Sequence, residues 1–237
     1  MATLAGAAAL ADQTEKAAPF ASENPVSKDT NTAAAGNLQP IVLVKPEKEG
    51  GKEVLTAIQE RQTIRNIKPD KLPPQMLSNL LWAAFGINRA SIRGGQAGRT
   101  AASASNSQEI DLYVALPEGV YIYEASGHRL MPVVAGDFRK RSGRGAAANA
   151  PVNIFFVVDL AKFNRGQPQE PNLKDPEGQK SYYFVDTGLI AQNVYLFAAS
   201  QGLAAWFHNC DKTNTPKEFN LRPEQRVLFS QTVGYPA

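Results

Sequence analysis

Arg61, Thr63 and Arg65 take alternate positions in the run Glu-Arg-Gln-Thr-Ile-Arg, residues 60–65. On an extended backbone, side chains at i, i+2 and i+4 share a face, so two guanidiniums and a hydroxyl would converge there. Guanidinium forks match phosphate oxygens in charge-assisted, often bidentate bonds, and a hydroxyl adds a donor, which is the chemistry of a phosphate clamp. The competing reading is a solvated basic face, and the run gains meaning only from partners elsewhere in the chain. Other chemistry is sparse. His128 and His208 are the only histidines and Cys210 the only cysteine. No zinc-ligand spacing occurs, no intrachain disulfide can form, and cysteine usage leaves the redox compartment open. Gly94, Gly95 and Gly98 do not follow the dinucleotide fingerprint, and no phosphate loop is present. The sequence offers no catalytic triad or carboxylate pair.

The elements that must position the clamp can be read from punctuation and period. Gly50-Gly51 breaks the chain before a helix whose apolar face is Val54, Leu55 and Ile58, and that helix delivers Arg61. Pro73-Pro74 opens a second helix with the stripe Leu77, Leu80, Leu81, Ala84 and Phe85, and Gly86 stops it. Residues 110–116, 120–123 and 129–134 read as a strand meander, and the nearly continuous apolar run 152–158 as a central strand covered on both faces. Gly136-Asp137 starts a short helix, residues 162–180 make a surface excursion with lid potential, and residues 182–201 form a helix enclosed by protein and ended by Gly202. Residues 203–207 and 227–233 complete the strands, with Thr215-Pro216 and Arg222-Pro223 opening short helices. Helices mixed with a meander favour α+β over a Rossmann fold.

Composition bounds what such a domain does. A chain of 237 residues, 43% hydrophobic and 20% charged, can bury a substantial core. Its net charge of +3 is too slight for a nucleic-acid surface, and the basic clusters at 89–99 and 139–144 lie beside no nucleic-acid motif. No stretch reaches the ~20 apolar residues of a membrane span. Residues 1–40 are expected to be a flexible leader preceding a domain at 41–237. Residues 4–11 are small and apolar and resemble the end of a signal peptide without its positive start. Export, periplasmic in a bacterium, is the expectation and a cytoplasmic location the alternative.

Four runs taken in order, residues 61–65, 80–89, 99–108 and 186–195, resemble the nitroreductase family, and the likeness covers residues 53–236. Its closest flavour is the branch containing azoline dehydrogenases. The resemblance implies an α+β nitroreductase-like fold, with a central, mostly antiparallel sheet flanked by helices, working as an intertwined homodimer with FMN at the subunit interface. It implies that Arg61, Gln62 and Thr63 meet the FMN phosphate and ribityl chain, and that Arg65 lies near the pyrimidine edge, where cationic charge would stabilise reduced flavin. Arg65 pairing with Asp70 is the bland alternative. Ser103, Ala104, Ser105, Asn106 and Gln108 match the polar loop facing flavin and partner. Asn106 would read the flavin edge through its mixed donor and acceptor amide, or else form an Asx turn. Arg99 would reach phosphate from the partner subunit. Phe207, His208 and Asn209 match the segment whose backbone approaches the ring, and His208 is also the candidate proton donor, against the commoner structural role.

Many members continue past their Gly-Tyr-Pro segment into a basic stretch, whereas this sequence stops at Ala237, so Arg139, Lys140 or Arg144 would have to supply phosphate charge. The expected activity is FMN-dependent reduction of nitroaromatic or quinone-like small molecules driven by NAD(P)H. Dehydrogenation of a ring or peptide substrate, or flavin binding without turnover, remain the alternatives. The physiological substrate and the electron donor stay open.

Overall fold

The computed structural model describes residues 35–91, 96–164 and 171–237. Most of the expected leader with its signal-like segment, Gly94 and Gly95, and residues 165–170 of the expected excursion lie outside the described residues. The strands are β1 (Ile41–Val42), β2 (Ile87–Arg89), β3 (Gly98–Arg99), β4 (Ile110–Leu116), β5 (Gly119–Glu124), β6 (Arg129–Ala135), β7 (Val152–Asp159), β8 (Ala204–His208) and β9 (Gln225–Gly234). The helices are α1 (Val54–Glu60), α2 (Pro74–Phe85), α3 (Ala146–Asn149), α4 (Pro176–Gln201) and α5 (Thr215–Glu218).

Turn residues set the meander. Leu116 pairs with Gly119 across Pro117-Glu118, joining β4 to β5, and β5 continues into β6. A side chain at Gly119 would collide with Leu38 and the Val134 carbonyl, so glycine allows the arm ahead of β1 to lie close. The seven-stranded sheet has the order β1-β6-β5-β4-β7-β9-β8, every neighbour antiparallel. In β7 all eight residues are buried, as its nearly continuous apolar run predicts. Ile154, Phe156 and Val158 enter the larger core, while Phe155 and Val157 enter a second core on the opposite face, built around Phe219 just after α5. The period of two explains why both faces must be covered. Each fully buried Phe contributes roughly 1.5–3 kcal/mol by leaving water.

α4 begins six residues earlier than the apolar pattern predicts, because Asp175 caps it, accepting a bond from Gly178 N at 2.7 Å, and Pro176 suits its first turn. Gly202 closes it at φ 69°. Asp186, Ile190, Ala191, Val194 and Ala198 make its buried stripe, but Phe184, Val185 and Leu189 are exposed by 40%, 59% and 43%, so this chain encloses only one face of the helix. α1 departs from expectation in the same way. Val54, Leu55 and Ile58 face outward and Ala57 alone is buried, since periodicity identifies an apolar face without saying which molecule covers it. The expected helix at Arg222-Pro223 is instead a turn leading into β9, and Arg222 donates to the buried Asp159 carboxylate at 2.6 Å. The helix expected after Gly136-Asp137 is a short 3-10 turn, Arg139–Arg141.

Candidate active site

The run after α1 lies along the free edge of β8. Ile64 N–H donates to Ala205 O at 3.1 Å, which fixes the face shown by its neighbours. Arg61 lies 5.3 Å from the Tyr195 ring centroid and Arg65 lies 5.7 Å from that of Trp206. Among the described residues neither guanidinium has an acidic partner, so the alternative pairing of Arg65 with Asp70 does not form. Aromatic faces steady both cations without neutralising them. Tyr195 OH accepts from Phe207 N–H at 2.8 Å and lies 3.0 Å from Thr63 Oγ1. Tyrosine can hand its own proton to Thr63, leaving the threonine proton free for a ligand. Phe207 N–H, however, is already engaged and is not free to meet a cofactor ring. A cleft of about 430 Å³ opens beside Arg61, lined also by Lys52, Gln62, Tyr195, Ala199 and Leu203. The Lys52 ammonium pairs with Glu60 at its rim.

The loop between β3 and β4 turns its polar groups inward. Arg99 donates to Gln108 Oε1 at 2.6 Å and to Phe85 O at 3.3 Å. Gln108 Nε2 donates to Ala97 O at 2.7 Å and Asn106 Oδ1 at 3.1 Å, while Asn106 Nδ2 donates to Gln96 Oε1 at 3.0 Å. Ser103 Oγ accepts from Gln108 N–H at 3.0 Å. Asn106 therefore bonds to Gln108 of its own loop and to Gln96 ahead of β3. Ser105 is exposed. This loop is anchored to α4 at Asp186, which accepts from Ala104 N–H at 2.9 Å. Tyr195 of the clamp lies nine residues along the same helix, about 13 Å away along its axis. The chain thus brings Arg61, Thr63, Arg65, Phe207 and His208 together but holds Arg99 and the Ser103–Gln108 loop apart from them.

At the end of β8, His208 Nε2 lies 2.8 Å from Thr232 Oγ1 and Nδ1 lies 2.9 Å from Asn209 O. Asn153 donates to Ala147 O and so presents its oxygen to Thr232, which must donate at 2.6 Å. Thr232 can then only accept from His208 Nε2–H. Burial lowers the His208 pKa from the ordinary histidine range. Through Nε2, His208 ties β8 to β9. Asn209 is exposed.

The residues expected to replace a basic tail are partly committed elsewhere. Arg139 donates to Asp137 and to the carbonyls of Asn149 and Ala150, leaving Lys140 and Arg144 of the three. Sequence reading missed Lys52, Tyr195 and a buried pair of acids, Glu109 and Asp186. Tyr195 stood inside one of the family-like runs, but nothing in its spacing revealed that its hydroxyl bridges Thr63 and β8.

An antiparallel α+β sheet whose edge carries arginines without acidic partners, one of them lining a cleft, is an architecture able to hold an anionic ligand. The chain belongs to the nitroreductase family, whose family model matches residues 58–235. It is similar to a structure described as a nitroreductase from Ralstonia eutropha JMP134, at 30% identity and TM-score 0.74, over 86% of this chain and 93% of that one. It shares the fold of one from Anabaena variabilis at 16% identity and TM-score 0.66, over 84% of this chain and 42% of that one. It also shares the fold of a chain in the E. coli microcin synthetase McbBCD complex with truncated pro-MccB17, at 18% identity and TM-score 0.61, over 92% of this chain and 85% of that one. No curated protein matches the sequence. The chain is an oxidoreductase. Among the described residues no helix is long and apolar enough to cross a membrane, and no cluster of side chains could hold a metal ion.

Proposed function

We propose that the chain binds FMN with its phosphate against Arg61 and uses it for NAD(P)H-driven reduction of nitroaromatic or quinone-like small molecules. The observation that carries this reading is a pair of guanidiniums without acidic partners, both held on aromatic faces, with Arg61 lining a cleft of about 430 Å³. The donors suit a phosphate: Arg61 supplies a fork and Thr63 a hydroxyl. Arg65, above Trp206, is the cation for an electron-rich ring edge. FMN held there would supply reversible hydride transfer between two substrates. The protein side chains bind, orient and exclude water.

The working unit in this reading is a homodimer in which the partner subunit contributes the loop of residues 103–108. The exposed apolar residues Val54, Leu55 and Ile58 of α1 and Phe184, Val185 and Leu189 of α4 support it, because large apolar side chains left in water suit an interface. Likeness to a chain of the microcin synthetase complex favours a second reading, dehydrogenation of a ring or peptide substrate. Flavin binding without turnover is the third. Anaerobic mixing separates them: bleaching by NADH or NADPH followed by recolouring with a nitroaromatic or quinone supports reductase chemistry. Bleaching by a peptide alone supports the second, and a flavin inert to all of them the third.

A further inference from the structure

Glu109, fully buried, and Asp186, 4% exposed, lie side by side beneath the polar loop. Glu109 Oε2 accepts from Ser107 Oγ at 2.6 Å, and Glu109 Oε1 is buried without a donor among the described residues. Asp186 Oδ2 accepts from Ala104 N–H at 2.9 Å, and the two carboxyl groups hydrogen bond to each other. Carboxylate oxygens only accept, so a bond between two of them requires a proton. The loop above is strained: Ser105, Asn106 and Gln108 have φ of 48°, 54° and 50°, a left-handed region that costs energy for residues with side chains. Such a shape persists only where contacts over-determine it.

We infer that Glu109 and Asp186 share one proton and that this proton latches the Ser103–Gln108 loop in its cofactor-ready shape, so that the loop opens when the pair loses it. The link to the cofactor rests on the FMN reading, whereas the latch does not. Charged groups on the surrounding elements are otherwise engaged. Lys162, after β7, donates to Asp111 of β4 and to Gln108 O. Arg99 of β3 donates to Gln108 Oε1, and Asp159 at the end of β7 pairs with Arg222 ahead of β9. The other titratable residues of α4 are Glu177, Lys180, Tyr182, Tyr183 and Tyr195. Burial, and then the charge of Asp186, push the Glu109 carboxyl up to about 8, and burial raises Asp186 too. The latch therefore releases on the alkaline side of neutrality.

Glu109→Gln keeps the Ser107 acceptor and donates permanently to Asp186, removing the titration without removing the bond. Asp186→Asn does the same in the other direction and serves if the first variant fails to fold. The test is amide hydrogen exchange of residues 103–108 in the purified protein, together with FMN affinity from flavin fluorescence quenching. In the unmodified protein, protection factors should fall about tenfold between about pH 7 and pH 9, with FMN affinity falling alongside. Both should stay flat in either variant. Protection that ignores pH in the unmodified protein, or falls equally in the variants, overturns the latch. FMN affinity that holds while protection falls overturns its link to the cofactor. If protection behaves as stated and FMN binds at no pH, the latch stands and the FMN reading fails.

Discussion

Two basic regions of this chain look alike as sequence and differ as structure. Residues 61–65 carry Arg61 and Arg65, and residues 139–144 carry Arg139, Lys140, Arg141 and Arg144. Arg141 donates to Glu218 and Asp211, and Arg139 to Asp137, so these guanidiniums join the 3-10 turn at 139–141 to α5 and to neighbouring loops. Arg61 and Arg65 lie on Tyr195 and Trp206 with no acid beside them. Cations met by carboxylates are spent on stability, whereas cations met by rings keep their charge for a ligand.

The largest expected effect breaks the ligand side of this contrast. Arg61→Ala should weaken FMN binding by roughly 1.5 to 3 kcal/mol, about tenfold to more than a hundredfold, by losing a charged donor. Fluorescence titration measures it, and unchanged affinity would remove Arg61 from the site. Arg141→Ala should do the reverse, leaving FMN affinity alone while costing about 1–3 kcal/mol of stability in a urea melt, because Glu218 and Asp211 lose a half-buried partner. Equal effects of both variants on flavin would erase the distinction.

Why the contrast was only half legible follows from the residues. Alternation within six residues placed Arg61, Thr63 and Arg65 on one face, and the meander and β7 followed from turn residues and a nearly continuous apolar run. Tyr195 and Trp206, more than a hundred residues further along the chain, decide whether the cations stay free, and no local pattern reports that. Nor does local pattern say that Glu109, a charged residue beside a strand, is fully buried against Asp186. The outward-facing residues of α1 show the converse limit: a correct apolar face pointed away from the core of its own chain.

Smaller effects sharpen the comparison. Tyr195→Phe strips Phe207 N–H of its acceptor and Thr63 of its hydroxyl partner. It should cost about 1–2 kcal/mol of stability and reduce FMN affinity less than Arg61→Ala. Acid should loosen the Arg141 region selectively. The Asp211 carboxyl is held down at about 2, first by the Asn214 side chain and backbone, with Arg141 also contributing. A depressed folded value adds stability above the ordinary carboxylate range that is lost as pH falls through about 2. Asp211→Asn should flatten that part of the acid unfolding curve, and an unchanged curve would deny Asp211 the role. Smallest of all, Thr63→Ser keeps the hydroxyl and should alter FMN affinity by under about 0.5 kcal/mol.

The absorbance spectrum of the purified, untreated protein, followed by identification of any dye released on denaturation, tests the central claim most directly. The account expects a yellow protein that releases FMN, or a colourless one whose added FMN is quenched on binding in a manner that Arg61→Ala weakens. Colourless protein indifferent to added FMN would contradict it.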